Sequence, residues 1–314
     1  MRVLITGGFG NLGLMCIHQA LALGYEVTCF DLENPKNNKQ AGNFPSVTTI
    51  LGNMLDDAIL KTIVDGVDAI IHNASVLPPL TDNNPSLAKK INVDACIKLI
   101  QAAERSTKKP VFIFPSSVTV FGEPKSSSSL KHASDPVQAT DNYTRHKVAI
   151  EDYLKGASLP WVVLRVGVSV DARTLATDRK TFKKLLSVKA DNPLEYVHPK
   201  DVALAMCKAI DNQQAIGKVL LIGGGPSCQV SQREFLSTAF NSLGLQLPIT
   251  AHGSETFYTH WMDTTESQAI LQFQKHGFKA YIAEMDETLK PIKKLLWPFR
   301  WLINRALPSV LKVI

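Results

Sequence analysis

The sequence predicts an α/β fold, a doubly wound parallel sheet with a smaller C-terminal lobe and a basic amphipathic tail. Three observations carry that prediction. A glycine run, Thr6-Gly7-Gly8-Phe9-Gly10-Asn11-Leu12-Gly13, follows an apolar stretch from Arg2 to Thr6 and opens into Leu12, Leu14, Ile17, Ala20, Leu21 and Leu23 at helical spacing. Apolar runs of strand length, such as Val67-Asp68-Ala69-Ile70-Ile71 and Trp161-Val162-Val163-Leu164, are what parallel strands covered on both faces require. Further on, Tyr143 and Lys147 begin a stretch whose Ala149, Ile150, Tyr153 and Leu154 again repeat at helical spacing.

Strand, glycine turn and helix form the context in which such a run binds a dinucleotide. Gly7 takes backbone angles that other residues resist, Gly10 leaves room for a pyrophosphate, and Gly13 lets helix and strand pack closely. The helix N-terminus, with Asn11 and Leu12 in its first turn, offers unpaired N–H groups and a positive dipole end to phosphates. A second strand, Glu26-Val27-Thr28-Cys29-Phe30, ends at Asp31, about 20 residues beyond the glycines, where a carboxylate accepts hydrogen bonds from adenosine ribose hydroxyls. It repels a 2′-phosphate and no arginine follows it directly, so NAD is favoured over NADP; Lys36 and Lys39 are the nearby cations that weigh the other way.

The remaining sheet strands are expected near 47–51, 67–72, 111–115, 161–165 and 218–222. The fifth of the seven, Phe112-Ile113-Phe114-Pro115-Ser116, runs into the polar turn Ser117-Val118-Thr119-Val120-Phe121-Gly122, and strand ends are where open α/β sheets hold ligands. On a helix, Tyr143 and Lys147 share a face. A free phenol has a pKa of about 10 and is a poor base at neutral pH, but an adjacent ammonium favours the phenolate. Tyr143 is therefore expected to exchange the proton of a substrate hydroxyl while hydride moves to or from the nicotinamide, with Ser117 holding the substrate oxygen.

With these residues in view, the chain resembles the extended branch of the short-chain dehydrogenase/reductase superfamily, the NAD-dependent epimerases and dehydratases, over about residues 1–230. The resemblance rests on the Thr-Gly-x-x-Gly-x-x-Gly turn, Asp31, Gly52-Asn53-Met54, His72-Asn73-Ala74-Ser75, Asn92, the Ser-Ser-x-x-x-Phe-Gly stretch ending at Gly122, the Tyr-x-x-x-Lys pair, Leu164-Arg165 and Val197-His198-Pro199-Lys200-Asp201-Val202. It implies a Rossmann-type core, NAD as cofactor and Ser117, Tyr143 and Lys147 as the catalytic set, with Tyr143 and Lys147 also contacting the cofactor. It also implies that Asn53 and Met54 lie beside adenine and that Asn73, Ala74 and Ser75 line the ribose and phosphate path. Where relatives carry Gly-Asp this chain has Gly52-Asn53, and where many carry tyrosine before the glycine it has Phe121, which removes a hydroxyl contact to a sugar. His72, Asn92, His198 and Asp201 are read as structural, Asp201 as the N-cap of a helix and Asn92 as a backbone brace on a helix from Ala88 to Ala103.

The implied division is a Rossmann core of 1–165 plus 198–223, a substrate lobe of 166–197 plus 224–289, and a tail of 290–314. Ser231-Gln232-Arg233-Glu234 is a capping box that starts a lobe helix, and Lys125-Ser126-Ser127-Ser128-Ser129 is a loop just past the catalytic strand. At 314 residues and 45% apolar content the chain can bury a large core. Five cysteines, odd in number and scattered, give neither a disulfide framework nor metal-ligand spacing, so the expected compartment is the reducing cytoplasm and no metal is expected. The first strand begins at Arg2, which leaves no signal peptide ahead of it.

Lys290, Lys293, Lys294, Arg300, Arg305 and Lys312 account for the whole formal charge of +6, so the basicity is local and does not point to nucleic acid. At about 100° per residue, Ile292, Leu295, Leu296, Phe299, Leu302, Ile303, Ala306, Leu307, Val310 and Ile314 fall on one face, with the cations and Trp297 and Trp301 opposite. That pattern suits a helix lying on an anionic bilayer, on the inner face of the membrane; docking on its own domain or in a homodimer is the alternative. Pro298 and Pro308 are expected to divide it into two short helices.

Three functions follow. The first is an NAD-dependent oxidoreductase interconverting a hydroxyl and a carbonyl, with a hydrophobic alcohol or carbonyl compound as substrate. The second is a nucleotide-sugar 4-epimerase with tightly bound NAD; against it, Leu164-Arg165-Val166-Gly167-Val168-Ser169-Val170 lacks the asparagine such epimerases carry after this arginine. The third is a non-catalytic, membrane-tethered NAD sensor, which the intact Ser117, Tyr143 and Lys147 oppose. A dehydratase is disfavoured because Ser117-Val118-Thr119 stands where those relatives resemble Thr-Asp-Glu, so the acid for elimination is missing.

Overall fold

The strands are β1 (Arg2–Thr6), β2 (Glu26–Asp31), β3 (Thr48–Leu51), β4 (Ala69–His72), β5 (Val111–Ser117), β6 (Trp161–Val166), β7 (Pro193–Glu195), β8 (Lys218–Ile222) and β9 (Gln229–Ser231). Seven of them pair in parallel in the order β3-β2-β1-β4-β5-β6-β8; β7 and β9 form a separate antiparallel pair. The computed structural model describes residues 1–124, 130–171 and 179–313; the Lys125–Ser129 loop, residues 172–178 of the expected lobe, and Ile314 lie outside them.

The strands carry apolar side chains on both faces, and alternate residues feed two different cores. Val3, Ile5, Ile71, Ile113 and Leu164 join Cys16, Ile17, Val202 and Met206 on one face, beneath the helices Asn11–Ala22 and Pro199–Lys208. Leu4, Ile70, Phe112, Phe114 and Val163 join Leu60, Leu99, Ile100, Ile150 and Leu154 on the other, beneath Asp57–Ile63, Cys96–Arg105 and Asn142–Lys155. Burying a side chain of this size stabilises by about 1.5–3 kcal/mol. The topology reverses between β1 and β4, so their C-terminal ends open the crevice in which a sheet of this kind holds its ligand.

A third core gathers Leu194, Tyr196, Val230, Phe235, Phe278, Tyr281, Met285, Leu289 and Leu311 beyond the end of the sheet. Glu195 joins this region to the sheet: its carboxylate accepts the N–H groups of Gly225 (3.1 Å) and Met262 (2.7 Å) and the Gln229 side-chain amide (3.1 Å). Ser231 and Glu234 form the capping box of the helix Gln232–Ser242, as the sequence predicts.

Two helix ends differ from expectation. The expected tail boundary falls inside the helix Phe278–Leu296, which runs through Pro291; a tight turn at Trp297–Phe299 containing Pro298 then leads into Arg300–Val313, which continues through Pro308. Only Pro298 breaks the arm. The N-cap of Pro199–Lys208 is His198, whose Nδ1 accepts the Lys200 N–H at 3.1 Å. Asp201 is instead buried, and accepts the backbone N–H groups of Lys275 (2.9 Å) and His276 (2.8 Å) and pairs with His276 Nδ1 (2.6 Å). Its carboxylate is taken up by the segment Lys275–His276 ahead of the helix Phe278–Leu296, which is why it is not available to cap.

Candidate active site

The glycine turn sits at the mouth of the β1/β4 crevice. Gly7 has φ +63°, and a Cβ there would stand 2.7 Å from the Ala74 nitrogen, so only glycine lets the turn close against the segment after β4. A Cβ on Gly13 would collide with the Gly7 carbonyl and the Gly8 backbone. The helix Asn11–Ala22 begins at Gly10 with no side-chain cap and no acidic residue in its first turn. Its leading N–H groups are therefore left for an anion. Asn11 is exposed there, and Leu12, half-buried, packs against the core below.

Asp31 stands at the end of β2, half-buried, with Oδ2 accepting the Phe9 N–H at 2.8 Å and Oδ1 the Leu32 N–H at 2.7 Å. Those bonds orient the carboxylate at the lip of the glycine turn. The Gly52 N–H bonds the Asp31 carbonyl at 2.9 Å, which brings Asn53 and Met54 alongside. Asn53 is exposed and its Oδ1 accepts the Leu55 N–H at 3.0 Å; Met54 is buried in the core with Phe30 and Leu60.

After β4 the chain is fastened to β1. The Asn73 N–H bonds the Thr6 carbonyl at 3.0 Å, and the Ala74 N–H lies 3.4 Å from the Thr6 hydroxyl. Asn73 Nδ2 donates to Cys16 Sγ at 3.5 Å, while its Oδ1 is buried with no partner. A buried amide oxygen left unpaired is costly; beside a glycine cradle it fits a ligand that supplies the missing donor. Ser75 Oγ is 3.3 Å from Asn92 Oδ1, and Asn92 clamps the Val76 backbone, accepting its N–H at 2.7 Å and donating to its carbonyl at 2.8 Å. The bracing role expected of Asn92 is met, on a π-helical turn (Lys90–Ala95) inside the expected helix. His72 is likewise structural: its Nδ1 meets the Thr6 hydroxyl at 2.8 Å, and burial, with the Lys147 charge, pushes its pKa down to about 3, so it stays neutral.

The catalytic candidates come together one strand further on. Ser117 ends β5, and its hydroxyl lies 2.8 Å from that of Thr119. Tyr143 and Lys147 lie on the helix Asn142–Lys155, fixed at its start by the Asp141/Thr144 capping box, in which Asp141 Oδ1 accepts the Thr144 N–H at 2.7 Å. The Lys147 ammonium donates to the Pro115 carbonyl at 2.6 Å, lies 4.7 Å from the Phe114 ring centre and 5.6 Å from that of Tyr143. Burial brings its pKa down to about 8, with Cys96 and Glu151 pulling the other way.

The electrostatic expectation for Tyr143 is not met by this chain alone. Burial pushes the phenol up to about 12, Ser117 pulls it back by hydrogen bonding, and Asp141 pushes it further up. Lys147, whose ammonium donates to the Pro115 carbonyl, is not among the groups that shift it. Protein groups alone therefore hold Tyr143 protonated at neutral pH.

A buried cluster under this helix escapes sequence reasoning. Arg165 grips Glu151 with two bonds, Nε–Oε1 3.1 Å and Nη2–Oε2 2.7 Å, and Ser116 Oγ donates to the same Glu151 Oε1 at 2.5 Å. Arg165 also donates to the Ala133 carbonyl at 3.1 Å and stacks 4.8 Å over the Phe121 ring. The signal was present: an arginine inside the apolar run Trp161–Val166 demands a buried partner, and Glu151 lies one helical turn beyond Lys147. Phe121 is itself buried, edge-on to His260 at 6.0 Å.

Comparison with known proteins bears on the family and the fold. The NAD dependent epimerase/dehydratase family matches residues 3–170. The sterol-4-alpha-carboxylate 3-dehydrogenase, decarboxylating, of Homo sapiens is 28% identical over 162 residues, 51% of this chain and 40% of that protein. A 3-beta-hydroxysteroid dehydrogenase of Mycolicibacterium neoaurum is 24% identical over 212 residues, 65% of this chain and 56% of that protein. The match thus spans less than two thirds of either relative. Among solved structures, a dTDP-glucose 4,6-dehydratase double mutant from Streptomyces venezuelae with NAD bound superposes with a TM-score of 0.77 at 20% identity, over 92% of this chain and 97% of that one, a likeness of fold.

Proposed function

The chain belongs to the NAD dependent epimerase/dehydratase family, and from that premise we propose that it is an NAD-dependent oxidoreductase interconverting a secondary hydroxyl and a carbonyl. The observation that carries the proposal is the meeting of the Ser117 and Tyr143 hydroxyls, over the Lys147 ammonium, at the end of β5, in the same sheet whose β1 and β2 end at the glycine cradle and Asp31. NAD, when bound, supplies the hydride acceptor in one direction and the donor in the other. Ser117 holds the substrate oxygen; Tyr143 takes its proton during oxidation and returns it during reduction. Since protein groups keep the phenol near 12, oxidised NAD held by the glycine cradle and Asp31 would supply the further positive charge that lowers it. Lys147, tied to Pro115, fixes the helix and contributes its charge below about pH 8.

The substrate class favoured is an apolar alcohol or carbonyl compound rather than a sugar nucleotide. Leu77 and Leu80 are 55% and 59% exposed, and the Thr81 carbonyl accepts from Asn142 beside Tyr143 at 3.3 Å, so unpaired apolar surface lies next to the catalytic helix. The names of the sterol and steroid dehydrogenase relatives point the same way. We assign residues 166–197 and 224–289, which carry most of the third core, to the substrate lobe. The absence of a carboxylate at Val118 or Thr119 supports neither elimination nor a dehydratase reading.

Purified protein incubated with NAD and a panel of hydrophobic secondary alcohols tests the proposal through NADH formation read by absorbance. Turnover that Tyr143→Phe abolishes supports it. Retention of NAD through purification, stabilisation by UDP-sugars and no external turnover would replace it with the epimerase reading.

A further inference from the structure

The C-terminal arm shows a surface that hydride chemistry does not explain. Seven large apolar residues between Ile292 and Val310 are exposed, out of nineteen such residues among the described part of the chain. Leu295 is 73% exposed and Trp301 66%, values far from those of side chains with a packing partner. The arm is nonetheless fixed. Leu289 and Leu311 are buried in the third core, and Asn304 Oδ1 accepts the Gln246 N–H at 2.9 Å. One side holds the arm on the protein and leaves the other apolar residues outward.

Cations are interleaved with that apolar surface. Lys290, Lys294, Arg300 and Arg305 are exposed, and no Asp or Glu occurs after Glu287. Arg300 lies 3.8 Å over the Trp297 ring and Arg305 5.6 Å over that of Trp301. Tryptophan with a guanidinium on its face combines apolar body, polar edge and positive charge in one layer, the composition of the bilayer interface.

We propose that residues 290–313 form a preformed platform that seats this protein on an anionic lipid surface, with Leu295, Phe299, Leu302 and the two tryptophans entering the headgroup layer and the cations meeting lipid phosphates. Charge selects this occupant over a second copy of the chain. In a two-fold dimer the same patch faces itself, which would set this acid-free cationic strip against its duplicate. Protein interfaces are also depleted of charge at their centres, where this one carries it. No helix among the described residues is long and apolar enough to cross a membrane, so the contact is with the surface. The platform does not depend on the oxidoreductase reading, since the arm is held by the third core and Gln246.

The test is co-sedimentation of the full chain with phosphatidylcholine vesicles and with phosphatidylcholine–phosphatidylglycerol vesicles, alongside light scattering of the protein alone. Binding to the anionic vesicles only, lost in about 1 M salt, where the Debye length is about 3 Å, is the expected result. Lys294→Glu with Arg300→Glu should weaken it tenfold or more, on the order of the contribution of juxtamembrane cations. Leu295→Ala with Trp301→Ala should weaken it comparably while thermal unfolding stays as in the parent, since both side chains are exposed. Indifference to anionic lipid overturns the proposal. So does a dimer that either double variant dissociates, and capture by an acidic protein with no lipid binding.

Discussion

Lys147 Nζ donates to the Pro115 carbonyl at 2.6 Å, so the helix Asn142–Lys155 is tied by a buried charge to the strand that ends at Ser117. The bond sets the spacing of the two hydroxyls above it. Burial of the Tyr143 phenol, rather than this bond, is what keeps its pKa high.

That arrangement has a pH signature. The folded lysine gives up its proton near 8 and the unfolded one near 10.5, so between these values the unfolded chain holds more protons. Stability contributed by this group therefore rises with pH across that window, by up to roughly 3 kcal/mol at full titration. Lys147→Met should lack the rise. Urea midpoints for both proteins from pH 7 to 11 (about one point per pH unit) measure the difference, and parallel curves would show that the ammonium is not desolvated as described.

Tyr143→Phe removes the proton carrier and leaves the ring. Turnover should drop about 10²–10⁴-fold, while NAD affinity, read by protein fluorescence quenching, changes little. The protein alone holds the phenol near 12 and bound oxidised NAD lowers it, so alcohol oxidation in the parent should accelerate as pH rises through the phenol's titration in the complex and then level off, because the base is the phenolate. The same rise retained in Tyr143→Phe, with chemistry rate-limiting, would assign the proton to another group.

Much of this was readable in the residues because the signals were local. The seven sheet strands lie where apolar runs predict them, since strands buried on both faces have no polar alternation to blur their limits. Ser117, Tyr143 and Lys147 were each legible from position relative to a strand end or a helical turn, and the structure brings them together. Two kinds of feature were not legible. Lys147's partner is a backbone carbonyl, which leaves no trace in sequence. The arm's orientation depends on which of its apolar residues the lobe covers: Leu307 and Leu311 pack inward while Leu302 and Val310 stay exposed, so a single helical projection merged two faces that tertiary packing separates.

Asp31 should decide the cofactor. Its carboxylate is oriented by the Phe9 and Leu32 N–H groups at 2.8 and 2.7 Å, in place for ribose hydroxyls and against a 2′-phosphate. Asp31→Ala is expected to weaken NAD binding by about tenfold, the loss of a charge-assisted hydrogen bond, and to narrow the preference over NADP. Titrating both cofactors by isothermal calorimetry reads it. An unchanged ratio of the two affinities would mean that Asp31 serves only the glycine turn.

The Glu151–Arg165 pair offers a separate test of what holds the site together. Both side chains are almost wholly buried, 1% and 4% exposed, and share two hydrogen bonds, with Ser116 closing the carboxylate. Removing one partner strands a charge in the interior, so Arg165→Leu should destabilise by about 3–5 kcal/mol. Removing both need not: a Glu151→Leu, Arg165→Leu double variant leaves no unpaired charge and should recover much of that loss, though Ser116 then lacks its acceptor. Chemical denaturation of the two single variants and the double variant gives the coupling directly. Equal, additive losses would mean that the pair is hydrated and that Arg165 braces the sheet through Ala133 and Phe121 instead.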